Sequence, residues 1–131
     1  MKKLLFIIFL TPLISFSQGK CVIGDCKNGV GTYLFDDGNI FEGEWKDGRL
    51  NGFGITILYD ETGMLFGTYD GQFRNGEKSG WGTGTIYSKE GKLYGTYVGN
   101  WKDGDYNGWG IFIWRDGTIE KGEWKDGDLI K

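Results

Sequence analysis

The sequence has no histidine, one proline and two cysteines among 131 residues. Without histidine, the commonest general base and a common metal ligand are missing. A single proline excludes collagen and proline-rich disordered tracts. Beyond residue 17 the only serines are Ser79 and Ser88, so no Ser-His-Asp triad can be assembled. No glycine directly precedes Lys-Ser or Lys-Thr, so a phosphate-binding loop of that type is absent. Positive charge is also short: 15 basic residues face 18 acidic ones, a net charge of -3. That balance argues against a nucleic-acid partner held by phosphate contacts. What is abundant is glycine, at 25 residues, and aromatic side chains, with 6 Trp, 7 Tyr and 9 Phe. Aromatics at that density rule out a disordered linker. Together the two classes point to many short strands joined by tight turns.

The first residues read as a transport signal. Met1-Lys2-Lys3 is a short basic start, and Leu4 to Phe16 is apolar except for Thr11, Pro12 and Ser15. Ser15 and Ser17 place small residues at the -3 and -1 positions of a cleavage site before Gln18. The run is short for a membrane span. Residues 1–17 are therefore expected to be a secretory signal peptide of bacterial type, and 18–131 the mature chain. Lys20 beside Cys21 does not suit a lipoprotein signal. Loss of the signal leaves 13 basic against 18 acidic residues, a net charge of -5. The expected location is exported: periplasmic, associated with the outer envelope, or secreted.

In an oxidising compartment, a pair such as Cys21 and Cys26 reads as a disulfide. A free thiol pair and a metal site are the alternatives. A closed four-ligand zinc site cannot be built from two thiols and no histidine.

From Asn28 onward the chain repeats. One word recurs as Phe41-Glu42-Gly43-Glu44-Trp45, Tyr69-Asp70-Gly71-Gln72-Phe73, Tyr97-Val98-Gly99-Asn100-Trp101 and Glu120-Lys121-Gly122-Glu123-Trp124. Each is followed by Asp-Gly or Asn-Gly, and the first three then by Asn-Gly or Ser-Gly and a second Gly-x-Gly word. Gly43, Gly71, Gly99 and Gly122 lie 28, 28 and 23 residues apart, so two units carry five extra residues. The array opens on a half unit, Asn28-Gly29-Val30-Gly31, and its last unit lacks a second half. Each unit reads as two strands with a turn at Asp47-Gly48, Asn75-Gly76, Asp103-Gly104 or Asp126-Gly127. No helical periodicity appears after residue 18. The expected fold is all-β, with no helices in the mature chain. It is an elongated, single-layer antiparallel meander of stacked hairpins, about nine strands and roughly 40 Å long.

These words resemble the MORN (membrane occupation and recognition nexus) repeat over roughly Asp25 to Leu129. The resemblance rests on the aromatic-x-Gly-x-aromatic words at 41–45, 69–73 and 97–101 and on the Gly-x-Gly words. It implies about four repeats plus partial ends, folded as a curved sheet of hairpins. It also implies an interaction module. Glu120 and Val30 depart from the family's pattern, both in terminal units.

Strand alternation puts Phe41, Tyr69 and Tyr97 on one face with Trp45, Phe73, Trp101 and Trp124. Phe41, Trp45, Phe73, Trp101 and Trp124 are expected to form a structural aromatic ladder. Tyr69, Trp81, Tyr97 and Trp109 are expected to line an open groove, because a thin sheet has difficulty hiding so much apolar area. Phe53, Trp81 and Trp109 are also candidates to fill space beside the ladder. The run Asp103-Gly104-Asp105-Tyr106-Asn107-Gly108 begins like a calcium loop, but its twelfth position is Trp114 instead of glutamate. Carboxylates are numerous enough for a glycosidase-like pair, yet they fall at repeated turn and outer-face positions. No catalytic residue, cofactor or metal is expected. The expected function is a non-enzymatic module binding a protein through the aromatic groove or a sheet edge. Binding of membrane lipid or envelope polysaccharide by the same face is the alternative, with the missing polybasic cluster counting against lipid.

Overall fold

The computed structural model describes residues 18–131. The expected signal peptide, 1–17, lies outside the described residues. The chain forms ten strands: β1 Gly19–Gly24, β2 Val30–Phe35, β3 Ile40–Lys46, β4 Arg49–Tyr59, β5 Leu65–Arg74, β6 Glu77–Tyr87, β7 Leu93–Lys102, β8 Asp105–Trp114, β9 Ile119–Lys125 and β10 Asp128–Leu129. They make one antiparallel sheet in strict chain order. No helix occurs among the described residues. At about 4.8 Å per step, nine steps give a ribbon about 43 Å long.

Ten strands form where about nine were expected, because both ends contribute short pieces. The Cys21–Cys26 disulfide closes the turn that folds β1 back onto β2. Within that turn the Asp25 carboxylate accepts the Lys27 and Asn28 amides at 2.9 and 3.0 Å. Those two bonds hold the carboxyl below its ordinary range.

The turns follow from the residues. Asp47, Asn75, Asp103 and Asp126 have φ of 49–51°, each followed by a glycine of positive φ. Two consecutive positive φ values define the type I′ turn, which matches strand twist and needs Asp/Asn-Gly. The five-residue insertions lengthen the middle of the sheet. β4 to β8 have 10–11 residues, against 7 in β3 and β9.

The core lies on one face, called inner here. Trp45, Leu50, Tyr69, Phe73, Tyr97, Trp101, Phe112 and Trp124 are buried there without a second layer. Glycines on the neighbouring strand make this possible. A Cβ on Gly82 would lie 2.5 Å from Tyr69 Cζ, one on Gly110 2.6 Å from Tyr97 Cε2, and one on Gly84 2.7 Å from Trp101. The rings rest directly on bare backbone. Their polar atoms then use that backbone. Indole Nε1–H of Trp45, Trp101 and Trp124 donates to the carbonyls of Gly31, Gly82 and Gly110 at 2.9, 3.0 and 3.1 Å. Tyr69 and Tyr97 hydroxyls donate to the carbonyls of Gln72 and Asn100 at 2.8 and 3.0 Å. Tyr69 meets Phe73 and Trp101 edge-on, each with centroids 5.0 Å apart. Tyr97 meets Trp101 and Trp124 the same way at 5.2 and 5.4 Å. Each such pair adds about 0.5–1.5 kcal/mol beyond burial.

A candidate interaction surface on the outer face

Register decides what the opposite face carries. Between Gly43 and Trp45, Gly71 and Phe73, and Gly99 and Trp101 the pairing shifts, so Glu44, Gln72 and Asn100 sit at bulges. Their side chains bind the irregular backbone opposite. Glu44 and Gln72 carboxyl and amide oxygens accept the Phe53 and Trp81 amides at 2.5 and 2.8 Å, and Asn100 Nδ2 donates to the Trp109 carbonyl at 3.3 Å. The outer residues of the second Gly-x-Gly word are thereby fixed in place. Phe53 pairs with Gln72, Trp81 with Asn100, and Trp109 with Glu123. A single outer row results, with an apolar residue on every second strand: Val30, Phe53, Trp81 and Trp109. Their exposures are 69, 65, 49 and 43%. Two strand steps separate successive members, about 9.6 Å. Among the described residues no second layer covers this face.

Two expectations are corrected here. Tyr69 and Tyr97 do not line a groove: both have 0% exposure. Burial drives each phenol pKa up to about 12, since ionisation would place charge among aromatic rings. Nor do Phe53, Trp81 and Trp109 fill space beside the ladder. They point away from it, because the second glycine of each Gly-x-Gly word, Gly54, Gly82 or Gly110, occupies the inner face against Phe73, Tyr69 or Tyr97. Trp81 and Trp109 are exposed, but on the side opposite Tyr69 and Tyr97, so the four residues never meet. Phe53 and Val30 join the row by holding the same position in their own words. The ladder residues Trp45, Phe73, Trp101 and Trp124 are buried and Phe41 is half-buried against Phe35, with centroids 4.7 Å apart.

Shallow cavities indent the inner side. One of about 510 Å³ lies beside Tyr94, Trp114 and Arg115 at the long-hairpin edge. Another, about 430 Å³, lies beside Tyr106, Phe112 and Trp124. A smaller one, about 260 Å³, contains Lys78, Trp101 and Asp105. Lys78 occupies the repeat position that is Leu50 in one unit and Tyr106 in the next. Its Nζ lies 5.3 Å and 5.1 Å from the Tyr69 and Trp101 ring centres, an arrangement suited to cation–π attraction. Burial lowers its pKa, and the Asp105 charge partly offsets that. Glu120, in place of an aromatic, accepts the Trp114 indole N–H at 2.9 Å. Among the described residues no group of three or more Cys, Asp or Glu could hold a metal ion, and the Asp103-Gly104 segment is a plain turn.

An open sheet made by repeating one hairpin is a solenoid-type module in which each unit touches only its neighbours. The chain belongs to the MORN repeat family: the family model matches residues 27–40, 41–62, 69–85 and 97–119, more than half of its length. No curated protein matches it.

Proposed function

We propose that the chain is an exported, non-enzymatic module that binds another protein through the outer aromatic row. The observation that carries this is the exposure of Phe53, Trp81 and Trp109 in one register on an uncovered face. Aromatic rings on a rigid scaffold are typical anchors of protein interfaces. Export rests on the basic start, the apolar run and the small residues before Gln18. The bridged cysteines suit an oxidising compartment. The non-enzymatic reading rests on the histidine-free sequence and on polar side chains that serve turns and bulges. The family's standing as repeat modules supports binding by analogy.

The test is photo-crosslinking in the native cell. A photoreactive residue replaces Trp109, and a second variant carries it at Tyr94 on the inner side. A protein adduct at position 109 and none at 94 supports the proposal. An adduct at 94 alone moves binding to the inner cavity. A lipid or polysaccharide adduct at 109 replaces the protein partner with one of those classes. No adduct at either position refutes it.

A further inference from the structure

A lysine interrupts the aromatic core on the inner face. Lys78 stands where the sister units place Leu50 and Tyr106, and both of those pack into the core. An apolar side chain there fills space and does nothing further. Lysine leaves an amine on the same spot. Its Nζ rests over ring faces, 5.3 Å from the centre of Tyr69 and 5.1 Å from that of Trp101. Asp105 acts on it through charge alone.

A second departure from the repeat meets the first. The cavity of about 260 Å³ that contains Lys78 is also lined by Thr56, Leu58, Ile86, Trp101 and Tyr106. Leu58 and Ile86 lie in the two segments that carry the five extra residues. The lengthened hairpins thus supply apolar walls beside the one core position that carries an amine. Apolar walls with a single polar group are the usual make-up of a small-molecule site.

The chemistry follows from the surroundings. A lysine among apolar groups spends more time as the free amine, and the free amine is the nucleophile. It adds to an aldehyde carbon, water leaves, and a C=N bond forms. No oxidant or reductant is needed. The protonated imine carries the same single positive charge as the ammonium it replaces. That charge keeps its place over the two rings, with Asp105 as its counter-charge. A carboxylate ligand would instead meet the Asp105 charge.

We propose that Lys78 is a covalent capture site for a small apolar aldehyde, joined to Nζ as an imine with its hydrocarbon part against Leu58 and Ile86. The site lies on the face opposite the outer row and is independent of it.

The probe is phenylacetaldehyde, added to the purified chain with sodium cyanoborohydride, which reduces an imine to a stable secondary amine. Peptide mapping then reads the label on each lysine. Lys46, Lys102 and Lys125 are exposed and serve as references in the same digest. Lys78 should be labelled at least about tenfold faster than the references, a ratio that burial of one phenyl ring can supply. Acetaldehyde has the same reactive carbon and no ring, and should show at least about tenfold less preference for Lys78. Lys78→Leu, which copies Leu50, should keep the near-UV dichroism of the buried rings and lose the fast label. Lys78→Arg, which keeps a cation over the rings, should lose it as well. Even labelling of Lys78 and the references, an equal preference with acetaldehyde, or a fast label that persists in both variants overturns the inference.

Discussion

The inner core is held by rings lying on glycine backbone, so a single methyl should be costly. Consider Gly82→Ala. The added Cβ would lie 2.5 Å from Tyr69 Cζ and 2.6 Å from Cε2. Tyr69 is buried, boxed by Phe73 and Trp101, and bonded through its hydroxyl to the Gln72 carbonyl at 2.8 Å. The ring has no free space to move into. Overpacking of this kind costs about 1–3 kcal/mol. Displacing the ring also strands a buried hydroxyl, about 1–3 kcal/mol more. The chain-entropy gain of alanine over glycine returns only about 0.4–1 kcal/mol. The net expectation is a loss of roughly 2–5 kcal/mol, or a fall in Tm on the order of 10–20 °C. Gly67→Ala is the matched control. There the nearest atom is the Thr85 carbonyl oxygen at 3.3 Å, and no ring is involved. It should shift stability by less than about 1 kcal/mol. Thermal and urea unfolding, followed by tryptophan fluorescence, would measure both variants. Equal effects of the two substitutions would refute the claim that glycines serve as ring seats.

Trp101→Phe should cost about 1–2 kcal/mol in urea unfolding, because it deletes the indole donation to the Gly82 carbonyl while Phe73 shows that the shape is tolerated. Tyr69 and Tyr97 ionise near 12 when folded and near the ordinary value of 10 when unfolded, so the folded state holds the extra protons. Stability should therefore be intact below pH 10 and fall between pH 10 and 12, visible as a lower urea midpoint coincident with the rise in tyrosinate absorbance. Replacing Cys21 and Cys26 by serine opens a small loop, a loss of roughly 2 kcal/mol at most. Faster hydrogen exchange should then be confined to residues 19–24. Trp81→Ala and Trp109→Ala, on the exposed face, should each leave Tm within about 3 °C of the parent, and Trp81→Ala should abolish crosslinking from position 109.

Much of the architecture was legible because its determinants are local. Asp-Gly and Asn-Gly fix the type I′ turns, and the repeated word puts Trp45, Phe73, Trp101 and Trp124 on one face by alternation alone. The candidate site was less legible. The fate of Tyr69 and Tyr97 depends on Gly82 and Gly110, which lie on the next strand and let each ring settle onto bare backbone. Reasoning from a flat single layer left both tyrosines exposed. The faces of Trp81 and Trp109 are harder to read, because the bulges at Gln72 and Asn100 break the alternation across each hairpin. The needed signal was nearer: a residue directly before an inner-facing glycine such as Gly54, Gly82 or Gly110 must point outward. That rule would also have found Phe53 and Val30. Lys78 carried a signal too, as the one cation at a position filled by Leu50 and Tyr106 in the sister units.

The account divides the tryptophans into builders on the inner face and contact residues on the outer face. Oxidative footprinting of the purified chain, read residue by residue in the mass spectrometer, tests that division most directly. It predicts that Trp81 and Trp109 are modified first, and that Trp45, Trp101 and Trp124 resist until the chain unfolds. Modification of Trp101 or Trp124 at the rate of Trp81 in the folded chain would contradict it.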